Sequence, residues 1–182
     1  MKATGIVRRI DELGRVVIPK EIRRILRIRE GDPLEIFTET DGTIMLKKYS
    51  HIGEMSKFAQ KYADVLAQNS GHKIAIADRD VIVAVAGGMP REYVGKNVSK
   101  PLEMLMKDRV SLSTLKGNKA IDIIEGENTT SKEQQIVQPI LGDCDIVGSV
   151  ILVQKEGNTP LSEIEQKLVL VAANFLGKQM EE

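Results

Sequence analysis

Seven arginines and one lysine fall between positions 8 and 29 of this chain: Arg8, Arg9, Arg15, Lys20, Arg23, Arg24, Arg27 and Arg29. The guanidinium is a planar, permanently charged fork of donors that matches phosphate oxygens and base edges, so a dense arginine cluster is the footprint of a DNA-reading surface. The average over the chain conceals it. Formal net charge is zero, with 26 basic and 26 acidic residues, yet residues 1–50 carry net +3 and residues 51–182 net −3. Residues 1–29 alone reach net +6, with nine basic side chains against Asp11, Glu12 and Glu21. The competing reading is a solvated basic face whose arginines pair with Glu12, Glu21 or Glu30.

Other chemistries lack their residues. Nucleophilic or acid–base catalysis needs a convergent set, and His51, His72 and Cys144 stand isolated, so no enzyme is expected. The same three residues make no zinc ligand set, and a lone Cys144 excludes an intramolecular disulfide. Gly88-Met89-Pro90 and Gly95-Lys96-Asn97 suggest a phosphate loop only superficially, because Asn97 stands where magnesium needs Ser or Thr and the glycine spacing fails. Asp78 and Asp80 sit at a turn, where aspartate is favoured structurally, and His72, just before a strand, reads as structural too. No cofactor or metal follows, beyond an unidentified small-molecule ligand for the second half. The longest strongly apolar run, Leu168 to Ala173, is far short of the ~20 residues of a membrane helix. With no apolar block of a signal peptide at the N-terminus, the expected compartment is the cytoplasm.

The elements that must carry the arginines are short. Ala3 to Ile10 and Arg15 to Ile18 read as strands joined by Asp11-Glu12-Leu13-Gly14, where Gly14 can take a positive φ. Pro19 suits the first position of a helix that runs through Glu21–Leu26 and ends near Arg29-Glu30-Gly31-Asp32. Leu34–Glu39 and Thr43–Lys47 flank Asp41-Gly42, the signature of a hairpin with a two-residue loop. Residues 1–49 therefore read β-β-α-β-β. Fewer than 50 residues, without disulfide or metal, bury too little apolar surface to stand alone. Two copies are expected to combine their strands into one intertwined β structure, which sets two groups of arginines on one face. Two geometric points stay open. Arg23 and Arg24 lie about 100° apart on a helix, and the alternation Ile6-Arg8-Ile10 puts Arg8 on an apolar face.

The run Thr4-Gly5-Ile6-Val7-Arg8-Arg9-Ile10-Asp11-Glu12-Leu13-Gly14-Arg15-Val16-Val17-Ile18-Pro19, then Glu21-Ile22-Arg23-Arg24, resembles the AbrB-like transition-state regulators from Lys2 through Tyr49. The resemblance covers about a quarter of the chain. It implies a swapped-hairpin dimer that binds duplex DNA with few strict base contacts. It also implies that Arg8, Arg15, Arg23 and Arg24 are the principal DNA contacts, with Arg9, Lys20, Arg27 and Arg29 auxiliary. A regulator that activates and represses sporulation-phase genes is the role it suggests.

Residues 51–182 begin with a helix, from the recurrence of Ile52, Met55, Phe58/Ala59, Tyr62 and Val65/Leu66 up to Asn69-Ser70-Gly71. Strands follow at Lys73–Ala77 and Val81–Ala86, then a polar, glycine-bearing stretch, Gly87 to Asn128, that reads as a lid. A second hairpin, Ile136–Leu141 and Ile146–Val153, precedes a helix expected to start at Pro160 with Thr159 as its cap. The order gives an α+β domain, one antiparallel sheet with its first and last helices on one face. Over roughly residues 56–178 it resembles a GAF domain, which implies regulation or dimerisation. Apolar residues nearly all round the last helix suggest a second partner surface, and hence a tetramer of two DNA-binding dimers. Two rival classes remain. A toxin-neutralising antitoxin can share the N-terminal fold but usually adds only a short disordered tail, and a metabolite-binding protein that uses its basic segment only to dimerise would bind DNA weakly and without sequence preference.

Overall fold

The computed structural model describes residues 5–50, 56–127, 133–143 and 145–180. The readings placed on Ala3 and Thr4, His51, Ile52, Met55, Asn128 and Cys144 lie outside the described residues. Two compact units divide the chain, Met1–Tyr49 and Ser50–Glu182.

In the first unit, α1 spans Lys20–Ile25 directly after Pro19. It closes with the Arg27 amide donating to the Arg24 carbonyl at 3.3 Å and the Ile28 amide to the Arg23 carbonyl at 2.8 Å. This paired closure needs a left-handed residue between helix and exit, usually glycine, and here Arg27 fills it with φ 52°. Strands β1 (Leu34–Thr38) and β2 (Ile44–Lys48) then pair antiparallel, Thr38 opposite Ile44. Their loop has three residues, not the two expected. The Glu39 amide bonds the Thr43 carbonyl and the Gly42 amide bonds the Glu39 carbonyl, with Gly42 at φ 87°. A two-residue Asp-Gly turn would need positive φ at both positions. Asp41 instead keeps an ordinary backbone and its Oδ1 accepts the Thr43 amide at 2.8 Å.

The expected first hairpin is present only at its tip. Residues 5–10 and 15–19 form no strand in the single chain, because a two-stranded ribbon with water on both faces gains little from pairing. Among the described residues up to Tyr49 only Pro19 is buried as a whole, main chain and side chain together. Val7 is 85% exposed, Val17 69% and Ile25 78%. Burying a side chain of this size is worth about 1.5–3 kcal/mol, so this unit carries a strong drive toward a covering partner.

The second unit is a five-stranded antiparallel sheet ordered β4-β3-β7-β6-β5. The strands are β3 (Lys73–Asp78), β4 (Ile82–Ala86), β5 (Leu112–Ser113), β6 (Gln135–Gly142) and β7 (Asp145–Val153). On one face Ile74, Ile76, Ile136, Ile140, Val150 and Leu152 pack against α2 (Ser56–Ser70) and α4 (Glu163–Lys178). The first and last helices thus share a face, as expected for this α+β order. Helix α2 is rotated from its expected stripe: Ala59, Ala63, Leu66 and Ala67 face the sheet, while Val65 is exposed. Alanines let the helix axis approach the strands, and the bulkier Phe58 and Tyr62 are displaced to the flank.

Helix α4 starts later than Pro160. Ser162 caps it in a reciprocal capping box with Glu165, a pairing that satisfies two orphan amides where Thr159 could satisfy one. Gly177 lets the helix touch β6, since a β-carbon there would collide with the Leu141 carbonyl. On the opposite sheet face, Met89, Val98, Ile123, Ile124 and the Leu102 and Met106 of α3 (Lys100–Lys107) cover Ala75, Ala77, Val137 and Ile151. The segment read as a lid therefore lies over the sheet.

Candidate nucleic-acid interface

The basic residues of the first unit distribute over three local structures. Arg8 and Arg9 lie on the extended stretch before the first turn, both exposed. Arg15 closes that turn with its side chain 70% exposed, its Nε donating to Asp11 Oδ2 at 2.8 Å. Lys20 opens α1, and Arg23 and Arg24 form its last turn, where the negative end of the helix dipole favours cations. All six are exposed.

Arg27 and Arg29 are placed differently. Both are half-buried, each with one Nη1 closed to solvent, around a fully buried Asp32 carboxylate. Asp32 Oδ2 accepts the Arg29 amide at 2.8 Å and the Lys48 ammonium at 2.9 Å, and Lys48 also donates to the Arg27 carbonyl at 2.9 Å. This cluster ties the end of α1 to β2. The unit therefore presents Arg8, Arg9, Arg15, Lys20, Arg23 and Arg24 as open cations and keeps Arg27 and Arg29 partly inside.

Asp11, Asp32 and Lys48 escaped the sequence reading as site residues. The signal for Asp11 was an aspartate four residues before an arginine with a glycine between them. Its carboxyl is held below the usual range, first by the Arg15 amide, then by the Arg15 side chain. Nothing in the sequence marks the Asp32–Lys48 pair, which is made by the register of β1 against β2.

In the second unit the covering segment is pinned by polar side chains. The Tyr93 hydroxyl donates to Glu127 Oε1 at 2.6 Å, while Glu127 Oε2 accepts the Ile123 amide at 2.7 Å and the Ile124 amide at 3.2 Å. Burial foremost, then the bond to Glu127, pushes the Tyr93 phenol up. Gln135 brackets Ile121, accepting its amide at 2.9 Å and donating to its carbonyl at 3.1 Å. Lys96 sits 5.4 Å from the Tyr93 ring centre, a packing role instead of a phosphate cradle. Asp78 closes its turn as expected, Oδ1 accepting the Asp80 and Val81 amides, each at 2.7 Å. His72 is fully buried, its Nδ1 accepting the Lys155 amide at 3.4 Å. Among the described residues no group of three or more His, Cys, Asp or Glu could hold a metal ion. No helix among them is long and apolar enough to cross a membrane.

Residues 54–181 match the family described as "Stage V sporulation protein T C-terminal, transcription factor". The whole chain is 48% identical to stage V sporulation protein T of Bacillus subtilis (strain 168) over 182 residues, covering all of both proteins. The chain belongs to the stage V sporulation protein T family. It is a DNA-binding transcription regulator with a GAF-like second domain.

The same division of labour appears when parts of this family member are compared. Over 49 residues it is 65% identical to transition state regulatory protein AbrB of Bacillus subtilis (strain 168), covering 27% of this chain and 50% of that one. Residues 7–53 match the family described as "Antidote-toxin recognition MazE, bacterial antitoxin", so the N-terminal segment is one that antitoxins share. The second unit has the fold of the GAF-B domain of DevS from Mycobacterium smegmatis, TM-score 0.53 at 17% identity over 71% of this chain and 93% of that one.

Proposed function

We propose that two copies of the first unit merge into a swapped-hairpin dimer whose shared face sets about eight arginines, Arg8, Arg15, Arg23 and Arg24 from each copy, against duplex DNA. The observation that carries this is that two things are missing among the described residues up to Tyr49: any buried apolar side chain besides Pro19, and any strand formed by residues 5–10 and 15–19. A second copy supplies both. Phosphate contacts then dominate affinity, and local DNA flexibility tunes preference. Specificity is modest, and the same protein activates some sporulation-phase promoters and represses others according to where it sits. A DNA partner places this work in the cytoplasm.

The second unit acts as the switch. Its outer helical face pairs dimers into tetramers, and a small ligand, or pairing alone, shifts the population of DNA-competent assemblies. The chain has no catalytic task in this scheme. The antitoxin reading gains from the match over residues 7–53, but the likeness to a transcription factor spans the rest of the chain as well.

The deciding experiment is fluorescence anisotropy of the full chain with duplex DNA across a salt series, with Arg15→Ala and Arg24→Ala variants checked for folding by circular dichroism. Neutralising roughly six to eight phosphates gives a slope of log K against log salt of about −5 to −7, flattened in either variant. Folded variants that bind like wild type would overturn the arginine face and promote the metabolite-binding reading.

A further inference from the structure

The first unit builds one backbone turn twice. In residues 11–15 the Asp11 amide donates to the Arg15 carbonyl and the Gly14 amide to the Asp11 carbonyl, both at 3.0 Å. In residues 39–43 the Glu39 amide donates to the Thr43 carbonyl at 2.9 Å and the Gly42 amide to the Glu39 carbonyl at 3.1 Å. The glycines match as well, with φ 75° at Gly14 and 87° at Gly42.

Side-chain support distinguishes the copies. The second tip closes with Glu39 at its first position, and its carboxylate support comes from Asp41, which accepts the Thr43 amide at 2.8 Å and the Thr43 side chain. An aspartate at the first position is thus not needed to make this turn. In the first tip Asp11 takes that position and does more. Its Oδ1 accepts the Leu13 amide at 3.0 Å and the Arg15 amide at 2.8 Å, and its Oδ2 accepts Arg15 Nε at 2.8 Å. One oxygen holds the turn, and the other holds only the guanidinium.

We propose that Asp11 is a positioning residue for DNA recognition, fixing Arg15 through Nε so that the two terminal nitrogens are presented from the turn in one orientation. The inference rests on the reading of Arg15 as a DNA contact. An exposed pair of this kind adds little to fold stability, so its effect lies in where the fork stands when DNA arrives. A tethered guanidinium bonds well only to oxygens that meet it at the matching angle, whereas a free one follows any phosphate. Asp11 also sets a negative charge beside the fork and so weakens attraction that ignores sequence. Positional selectivity rises at the expense of bulk affinity.

The test uses the full chain and two DNA probes: duplexes enriched from a random-sequence pool by the wild-type protein, and the unselected pool itself. Asp11→Asn keeps an oxygen for the turn amides but loses the charge and replaces the Nε acceptor with an amide. Circular dichroism should be unchanged. Binding to the unselected pool should tighten, with a salt slope steeper by up to about 2 for the two copies in a dimer. The ratio of enriched to unselected affinity should fall roughly five- to tenfold, the low end of what one well-oriented contact discriminates. In an Arg15→Ala background the same substitution should leave that ratio alone. An unchanged ratio, equal losses on both probes, or the same effect without Arg15 would each overturn the proposal. If Arg15→Ala alone binds both probes as wild type does, the arginine reading itself has failed, and this arm separates that failure from one confined to Asp11.

Discussion

Tyr62 and Phe175 stack across α2 and α4, ring centres 5.4 Å apart and planes at 15°, on the flank of the helical layer away from the sheet. Phe175 remains 43% exposed, and Val171, one turn earlier, 61%. Ile164, Leu168, Val171 and Phe175 follow one another at four- and three-residue steps, the spacing of a helix-packing seam. Val171→Glu should therefore leave the fold intact and halve the mass of the assembly, measured by analytical ultracentrifugation of the full chain. A wild-type protein that sediments only as a dimer would remove this seam as the tetramer contact.

Arg27 holds a left-handed backbone that favours glycine. Arg27→Gly should relieve that conformation and leave the closure of α1 in place, changing stability by less than about 1 kcal/mol in chemical denaturation. DNA affinity is then the informative quantity. Because half of Arg27 is already inside the unit, its loss should cost less binding than that of Arg24, compared at one salt concentration.

The capping box of α4 predicts a pH signature. Burial raises the Glu165 carboxyl, but the bond from the Ser162 hydroxyl and neighbouring amides outweighs it, and the net shift is downward from 4.5. A carboxyl depressed in the folded state lends stability that is present above its unfolded value and is lost as pH falls through its folded one. Ser162→Ala should cost about 1 kcal/mol near neutrality. That difference should shrink below pH 4.5 in denaturant melts, and a difference independent of pH would argue against the carboxylate's share.

Gly177→Ala should be among the costlier single changes in the second unit. The added carbon meets the Leu141 backbone, which has no rotamer with which to yield, and overpacking of this kind costs typically 1–3 kcal/mol. Lys167→Ala, on the exposed side of the same helix, should stay within about 0.5 kcal/mol. Parallel thermal melts of the two variants decide the comparison.

Much of this was legible in the residues themselves. The continuous apolar runs at Ile74-Ala75-Ile76 and Val150-Ile151-Leu152 marked strands, and Asn69-Ser70-Gly71 marked the end of α2. The start of α4 was misplaced because Thr159-Pro160 and Ser162-Glu163-Ile164-Glu165 both resemble helix starts, and only Leu161, anchored to Gln134, settles which applies. The open arginines were legible as a cluster because charge survives without tertiary context. Their sorting was not: the half-buried Arg29 gives its backbone amide to Asp32, whose ionic partner Lys48 sits on β2 and enters through strand register. Register is a property of the pairing and leaves no local mark at any of the three positions.

In the proposed dimer the exposed apolar side chains of the first unit, Val7, Val17 and Ile25 among them, are covered by another copy. A reading head built that way is made by collision, and the abundance of working heads rises with the square of chain concentration when chains are scarce. Such a regulator counts its own copies. Halving synthesis removes more than half of the signal, and a rising cell supply crosses from silence to occupancy over a narrow range.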